Sequence, residues 1–283
     1  MKDKLLVCTF SGGRTSAFMG QFLKLYKKYK DFDKLYVFAN TGKEKEETLE
    51  FINKCDKEWN LGVVWLEAKI NKEKGKGTDY KVVDYKTASR KGEPFEEMLK
   101  SYPMPNNFAS NCTRELKDSP IKKYVKSLGY KEVITAMGIR YDERHRKSNT
   151  AKQQNIIYPL CDDTRVDSNF IRRWWDTQCF DLELKDYEGN CDLCFKKSLR
   201  KRLTLIKQNP NIAEWWLDME EKYSSEKVPR FDLRTNFSIE QLIQLSKQPF
   251  KVIKDKHDIN KQQVSLFDNL DMDIETDCFC KAT

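Results

Sequence analysis

Leu5-Leu6-Val7-Cys8-Thr9-Phe10, followed at once by Ser11-Gly12-Gly13-Arg14-Thr15-Ser16, is the stretch that decides the fold. An apolar run of strand length gives way to a glycine-rich turn. Phe18, Met19, Phe22, Leu23, Leu25 and Tyr26 then recur at the spacing of an amphipathic helix that reaches Tyr29. In a strand–turn–helix context, glycines let the backbone approach an anion, and the first helical N–H groups point at it. Ser11, Thr15 and Ser16 add hydroxyl donors. The phosphate loop ending in Gly-Lys-Ser/Thr is absent, as are the three spaced glycines of dinucleotide sites. On its own, the hexapeptide fits a capping turn as well as it fits a phosphate site.

Outward from this stretch, strand and helix signals alternate. Residues 35–39 read as a second strand ending at Asn40-Thr41-Gly42, 46–60 as a helix and 63–67 as a third strand. Residues 121–128 read as a helix and 132–137 as a fourth strand closed by Gly138. Such alternation implies an α/β fold, a parallel sheet with helices on both faces, and ligands beyond the carboxyl ends of its strands. Ser11, Asn40-Thr41-Gly42 and Gly138-Ile139-Arg140 all fall at such ends. Residues 71–92 are polar and basic; they read as a loop, either mobile near the active face or simply solvated. After Tyr158 the alternation stops, and helices are expected over 170–177, 193–207, 212–223 and 239–247. Asn211-x-x-Glu214 and Ser238-x-x-Gln241 have the form of capping boxes. The expected organisation is an α/β unit over 1–160, a helical extension over 161–249 and a polar tail over 250–283.

The 283 residues are 39% hydrophobic and 34% charged, with a formal net charge of +8. No apolar run is long enough to cross a bilayer and the N-terminus lacks a signal-peptide pattern, so a cytoplasmic location is expected. The excess of Lys and Arg suits either a solvated surface or a polyanionic partner. Nine cysteines in such a chain argue against a disulfide scaffold. Cys8 lies in an apolar strand and reads as core. Cys191-x-x-Cys194 follows a turn signal and has the spacing to share one metal centre, with a redox pair as its rival. Two histidines, His145 and His257, leave little room for histidine-driven hydrolysis.

Several segments then fall in a telling order. Ser11-Gly12-Gly13-x-x-Ser16 resembles the PP-loop of the adenine nucleotide alpha hydrolases. Phe38-Ala39-Asn40-Thr41-Gly42 with Glu47-Thr48 resembles the strand ending in Asp-Thr-Gly of phosphoadenosine phosphosulfate (PAPS) reductases, with Asn40 in place of the acid. Cys112-Thr113-Arg114-Glu115-Leu116-Lys117-Asp118-Ser119-Pro120 is similar to their Cys-x-x-x-Lys-x-x-Pro segment. Gly138-Ile139-Arg140-Tyr141-Asp142-Glu143 and Tyr158-Pro159-Leu160 are similar to two further elements. The resemblance to the PAPS reductase-like family spans roughly residues 4–200 and implies a Rossmann-like (HUP-type) sheet that binds ATP or a related adenine nucleotide.

The resemblance also implies roles. Ser11, Gly12, Gly13, Arg14, Thr15, Ser16, Asn40, Thr41, Gly42, Arg114, Gly138 and Arg144 would hold the nucleotide, and Lys117, Arg140 and Cys112 would serve catalysis. Thr15 stands where ATP pyrophosphatases carry the Asp that helps handle Mg²⁺. Some branches of the family hold a 4Fe-4S cluster; here its ligands would be Cys112, Cys191, Cys194 and Cys280, with zinc as the lesser alternative. Apart from the resemblance, the basic run Lys196-Lys197-Ser198-Leu199-Arg200-Lys201-Arg202, with Phe195, Trp174 and Trp175 nearby, would suit a nucleic acid as well as it suits a solvated helix face beside the knuckle. The expected activity is adenylation of an acceptor with sulfur transfer to a nucleic acid, fed by a sulfur donor. The alternatives are PAPS reduction with thioredoxin through Cys278 or Cys280, whose neighbours differ from the family's Glu-Cys-Gly tail, and a nucleotide-binding module without turnover.

Overall fold

A computed structural model describes residues 3–255, apart from residues 72, 74, 75 and 190. Its centre is the expected sheet. Strand β1 (Lys4–Thr9) leads through the glycine turn into helix α1 (Arg14–Leu25). β2 (Asp33–Asn40), α2 (Glu46–Trp59), β3 (Val64–Ile70), β4 (Thr78–Val83) and α3 (Glu93–Ser101) follow. A helical turn α4 (Asn111–Thr113) runs through a wide π-type turn at Arg114–Asp118 into α5 (Ser119–Ser127), and β5 (Glu132–Ala136) and the short β6 (Ile156–Ile157) come next. The order across the sheet is β4-β3-β2-β1-β5-β6, and every pair is parallel except β3–β4.

Alternation along β1 explains the layering. Leu6 and Cys8 face a core shared with Met19 and Leu23 of α1 and Leu49 and Ile52 of α2. Leu5 and Val7 face the opposite layer, where Ile121, Tyr124 and Val125 of α5 pack. Burial on both faces is why these strands are continuous apolar runs rather than alternating ones.

The remaining helices are α6 (Pro159–Asp162), α7 (Ser168–Asp176), α8 (Leu199–Gln208), α9 (Glu214–Tyr223) and α10 (Ile239–Lys247). Ile171 and Trp175 of α7 join the core above α1. α8, α9 and α10 build a separate core around Trp216, Phe231 and Leu242, joined by Phe95 and Met98 of α3. Ser238 and Gln241 form the expected capping box.

Four expectations need correction. The 71–92 segment is not one loop, because Thr78–Val83 forms the antiparallel edge strand β4. β6, a two-residue strand, extends the sheet beyond β5. α8 begins at Leu199, not Leu193, with Ser198 capping it. Asn211 does not cap α9; it lies in a tight turn over Pro210–Ala213, and no side chain caps that helix.

Candidate active site

β1 lies between β2 and β5, so the chain leaves it in opposite directions, and a crevice opens at the carboxyl ends of β1 and β5. A cavity of about 1,600 Å³ occupies that position, with Ser11, Gly13, Thr15, Ser16, Gly138 and Arg140 among its walls. Its phosphate-like end is made by the turn before α1. Gly12 has φ +80°, and a Cβ there would lie 2.4 Å from the Thr48 methyl, so only glycine lets the turn lie this close to α2. Gly13 occupies the N-cap position without a capping side chain, and the first turn of α1 carries no acid. The leading N–H groups and the positive end of the helix dipole are therefore left for an anion.

The hydroxyls are pre-arranged around this end. Ser16 Oγ accepts from the Ser11 N–H and hydroxyl, both at 3.1 Å, and donates to Gly13 O at 2.9 Å. Arg140 reaches across from the end of β5. It donates to Thr15 Oγ1 at 3.0 Å and is balanced by Asp142 and Glu143. Burial pushes the Asp142 carboxyl up, but the hydrogen bonds and charge of Arg140, with smaller contributions from the Asp142 N–H and Ser168, together hold it below its ordinary range.

Arg14 is used differently. Its Nε lies 2.7 Å from Asp181, and its Nη atoms donate to the carbonyls of Leu182 and Leu184. It thus ties the start of α1 to the 181–184 segment on the far wall. Gly138 approaches Ser16 backbone closely, with a virtual Cβ 3.5 Å from Ser16 Cα.

Asn40, Thr41 and Gly42 do not line the cavity; they shape a second centre beside it. Asn40 is fully buried and donates to Glu67 and to Ser89 O, while its carbonyl accepts from Gly42 N. Thr41 donates its N–H and hydroxyl to Glu44 at 2.9 and 2.8 Å. The other oxygen of Glu44 faces Cys191 Sγ at 3.9 Å and Lys117 Nζ at 3.6 Å. The Cys191-x-x-Cys194 knuckle is fastened to this loop by a bridge between Glu44 and Cys191, by the Lys43–Asp192 ion pair at 3.0 Å and by Lys45–Glu188. Lys197 donates to Cys191 O, and Trp216 to Asp192.

Cys112, Cys191 and Cys194 lie within electrostatic range of Lys117. Burial alone would lower the Lys117 pKa, but nearby negative charge, that of the Glu44 carboxylate foremost, outweighs it and raises it. Burial, followed by the Glu44 carboxylate, pushes the Cys191 thiol upward; burial and Cys194 do the same for Cys112. Both thiols are therefore protonated at neutral pH. Among the described residues, no group of three or more His, Cys, Asp or Glu side chains is disposed to hold a metal ion. Cys112, Cys191 and Cys194 are therefore not arranged as a ligand set, and the other expected ligand, Cys280, lies with Cys278 outside the described residues.

Other candidates sit apart. Arg114 pairs with Glu115 and lies 5.9 Å from the Tyr102 ring; Arg144 lies over Tyr141, and neither lines the cavity. The basic run at 196–202 is not a uniform cationic helix face. Lys197 is turned onto the knuckle, and Arg202 is 1% exposed and paired with Asp232. Trp175 and Phe195, expected to stack on bases, are core residues at 2% exposure. Glu44 was not singled out from sequence, because it stands in Lys43-Glu44-Lys45-Glu46-Glu47, which reads as a solvated charge run.

A mostly parallel sheet with a glycine turn and an uncapped helix N-terminus at its switch point is the arrangement of an α/β nucleotide-binding domain. Residues 5–156 match the phosphoadenosine phosphosulfate reductase domain family, and the chain belongs to that family. It is 35% identical over 199 residues to the uncharacterized nin region protein ORF290 of Escherichia phage lambda, covering 69% of this chain and 67% of that protein. Two uncharacterized proteins of Methanocaldococcus jannaschii are 25% and 26% identical, each over 78% of this chain. The chain spans only 49% and 42% of their lengths. No helix among the described residues is long and apolar enough to cross a membrane.

Proposed function

We propose that this protein is an enzyme that binds ATP or a related adenine nucleotide in the strand-end cavity and adenylates a nucleic-acid acceptor for sulfur transfer. The observation that carries the nucleotide reading is the unfinished N-terminus of α1: donors without a cap, no acid in the first turn, and Arg140 beside them. In this reading Ser11 to Ser16 hold the terminal phosphates. An oxygen of the acceptor attacks the α-phosphorus, the bond to the bridging oxygen breaks and pyrophosphate leaves. A sulfur nucleophile from a donor then displaces AMP, which departs with the acceptor's oxygen. Arg140 and Lys117, both on the cavity wall, stabilise the charge that develops on the phosphates; one such donor contributes on the order of 3 kcal/mol.

Cys112, Cys191 and Cys194 are the residues that would stand nearest the sulfur chemistry. With a fourth ligand they would supply the sulfur donors that a 4Fe-4S cluster or zinc takes, but as placed here they are not disposed to hold one. Residues 1–160 are read as the nucleotide unit, 161–249 as the extension that carries the knuckle, and 250–283 as a tail. The test is pyrophosphate release from ATP and Mg²⁺ with and without added RNA or single-stranded DNA. Release that depends on the acceptor and is lost in Arg140→Ala is expected; ATP binding without release in any combination would overturn the transferase reading.

One observation favours a second reading, PAPS reduction. Lys251 to Asp255, which precede the segment carrying Cys278 and Cys280, line the same cavity. There a thiolate would attack the sulfate sulfur, the adenosine bisphosphate would leave, and a dithiol such as thioredoxin would release sulfite. Sulfite formation from PAPS, lost on changing those cysteines to serine, would select it.

A further inference from the structure

The cavity is larger than one nucleotide needs. Single-ligand sites typically enclose about 300–1,000 Å³, against about 1,600 Å³ here. Three segments distant in sequence meet on its wall: 182–189, the first turn of α8 and 251–255. Arg200, Lys201, Lys251 and Lys254 all stand on this wall. Among the described residues, none of the four has a carboxylate partner within ion-pair distance.

The contrast with the other cations is informative. Arg14, Arg140 and Arg172, on the same cavity, are each paired with an acid. Within the 196–202 run, Lys197 and Arg202 are committed inward, and Arg200 and Lys201 are left to the cavity. Local helix energetics do not ask for cations there. α8 has no acid in its first turn, and positive charge at that end opposes the helix dipole. Glu183 and Asp255 on the same wall temper the charge without cancelling it.

We propose that Arg200, Lys201, Lys251 and Lys254 form a track for the sugar–phosphate backbone of a single-stranded nucleic acid, whose reacting base enters the cavity toward the PP-loop. This rests on the proposed function for the reaction that the base undergoes. The binding site rests on the charge pattern alone. A strand fits where other polyanions do not. The acceptor atom must touch the nucleotide's α-phosphorus, so the partner must thread a concave wall. A duplex must first extrude its base to do so, whereas a single strand offers it directly.

The test is fluorescence anisotropy of a labelled oligothymidylate of about 20 nucleotides, long enough to cover one site, titrated at several salt concentrations. The quadruple variant Arg200→Glu/Lys201→Glu/Lys251→Glu/Lys254→Glu is compared with a charge-matched control, Lys57→Glu/Lys69→Glu/Lys122→Glu/Lys126→Glu, whose four sites are exposed. Wild-type protein is expected to bind with a strong salt dependence. The track variant should weaken binding more than about 100-fold and lower the log–log salt slope by about 3, at roughly 0.7 per phosphate contact. The control should change binding far less. Circular dichroism and a melting curve establish that both variants fold.

Absence of binding by wild-type protein would overturn the track. So would equal weakening in the control, or a duplex of the same length binding as tightly as the strand. Failure of the nucleotide reading is distinguishable: ATP would then not bind, while the oligonucleotide would still bind and still depend on these four residues.

Discussion

The two centres beside β2 and β1 are built on opposite principles. The turn before α1 is left open: its helix is uncapped, its first turn carries no acid, and its serines are folded onto one another. The centre around Glu44 is closed: Thr41, Lys117 and Cys191 all converge on one buried carboxylate, and ion pairs lock the knuckle above it. In the proposed function an anion would complete the first centre, whereas the second already balances its own charge. The difference separates a place where a ligand binds from a place where protein groups are held ready beside it.

Substitutions can break this contrast from either side. The largest expected effect is that of Gly12→Val, which forces a side chain into the left-handed region and into the Thr48 methyl. A loss on the order of 3 kcal/mol is expected from strain and overpacking, read as a drop in the urea midpoint. Glu44→Gln keeps the shape of the closed centre but leaves Lys117 without its counter-charge. A comparable destabilisation of about 3 kcal/mol follows from breaking a buried pair; an unchanged midpoint would mean that the centre is not charge-locked. Arg140→Ala should leave the melting temperature nearly unchanged while costing more than about 100-fold in nucleotide turnover.

Thiol labelling sharpens the contrast within the closed centre. Cys191 and Cys112 have raised pKa values, so their thiolate fractions are small at pH 7.5 and grow as pH rises. Iodoacetamide should modify both more slowly than a free cysteine peptide, with rates still climbing above pH 9. Mass spectrometry of peptide adducts reads this directly. The smallest effect is that of Asp181→Asn. The Arg14 pair is partly exposed, so less than about 1 kcal/mol should be lost.

The legible parts of the molecule are those set by local pattern. The strand–turn–helix at 5–25 and the glycine after β5 obey period and turn chemistry, and both stand where expected. β4 was hidden because it is an edge strand in which only Thr78 and Val83 are buried, so its apolar signal is weak. The first turn of α8 was misplaced because a charged run has the same composition in a knuckle as in a helix. Glu44 and the Arg14 clamp were invisible for another reason. Their partners Cys191 and Asp181 lie 147 and 167 residues away along the chain, so only tertiary packing gives these side chains their roles.

The central claim is that the open end at α1 is an adenine-nucleotide phosphate site. Calorimetric titration of the protein with ATP and Mg²⁺, repeated with Arg140→Ala, tests it most directly. Saturable binding at one site, measurably weakened in the folded variant by loss of a charged phosphate donor, is the predicted result. No heat of binding at millimolar ATP, or binding that the variant leaves unchanged, would contradict it.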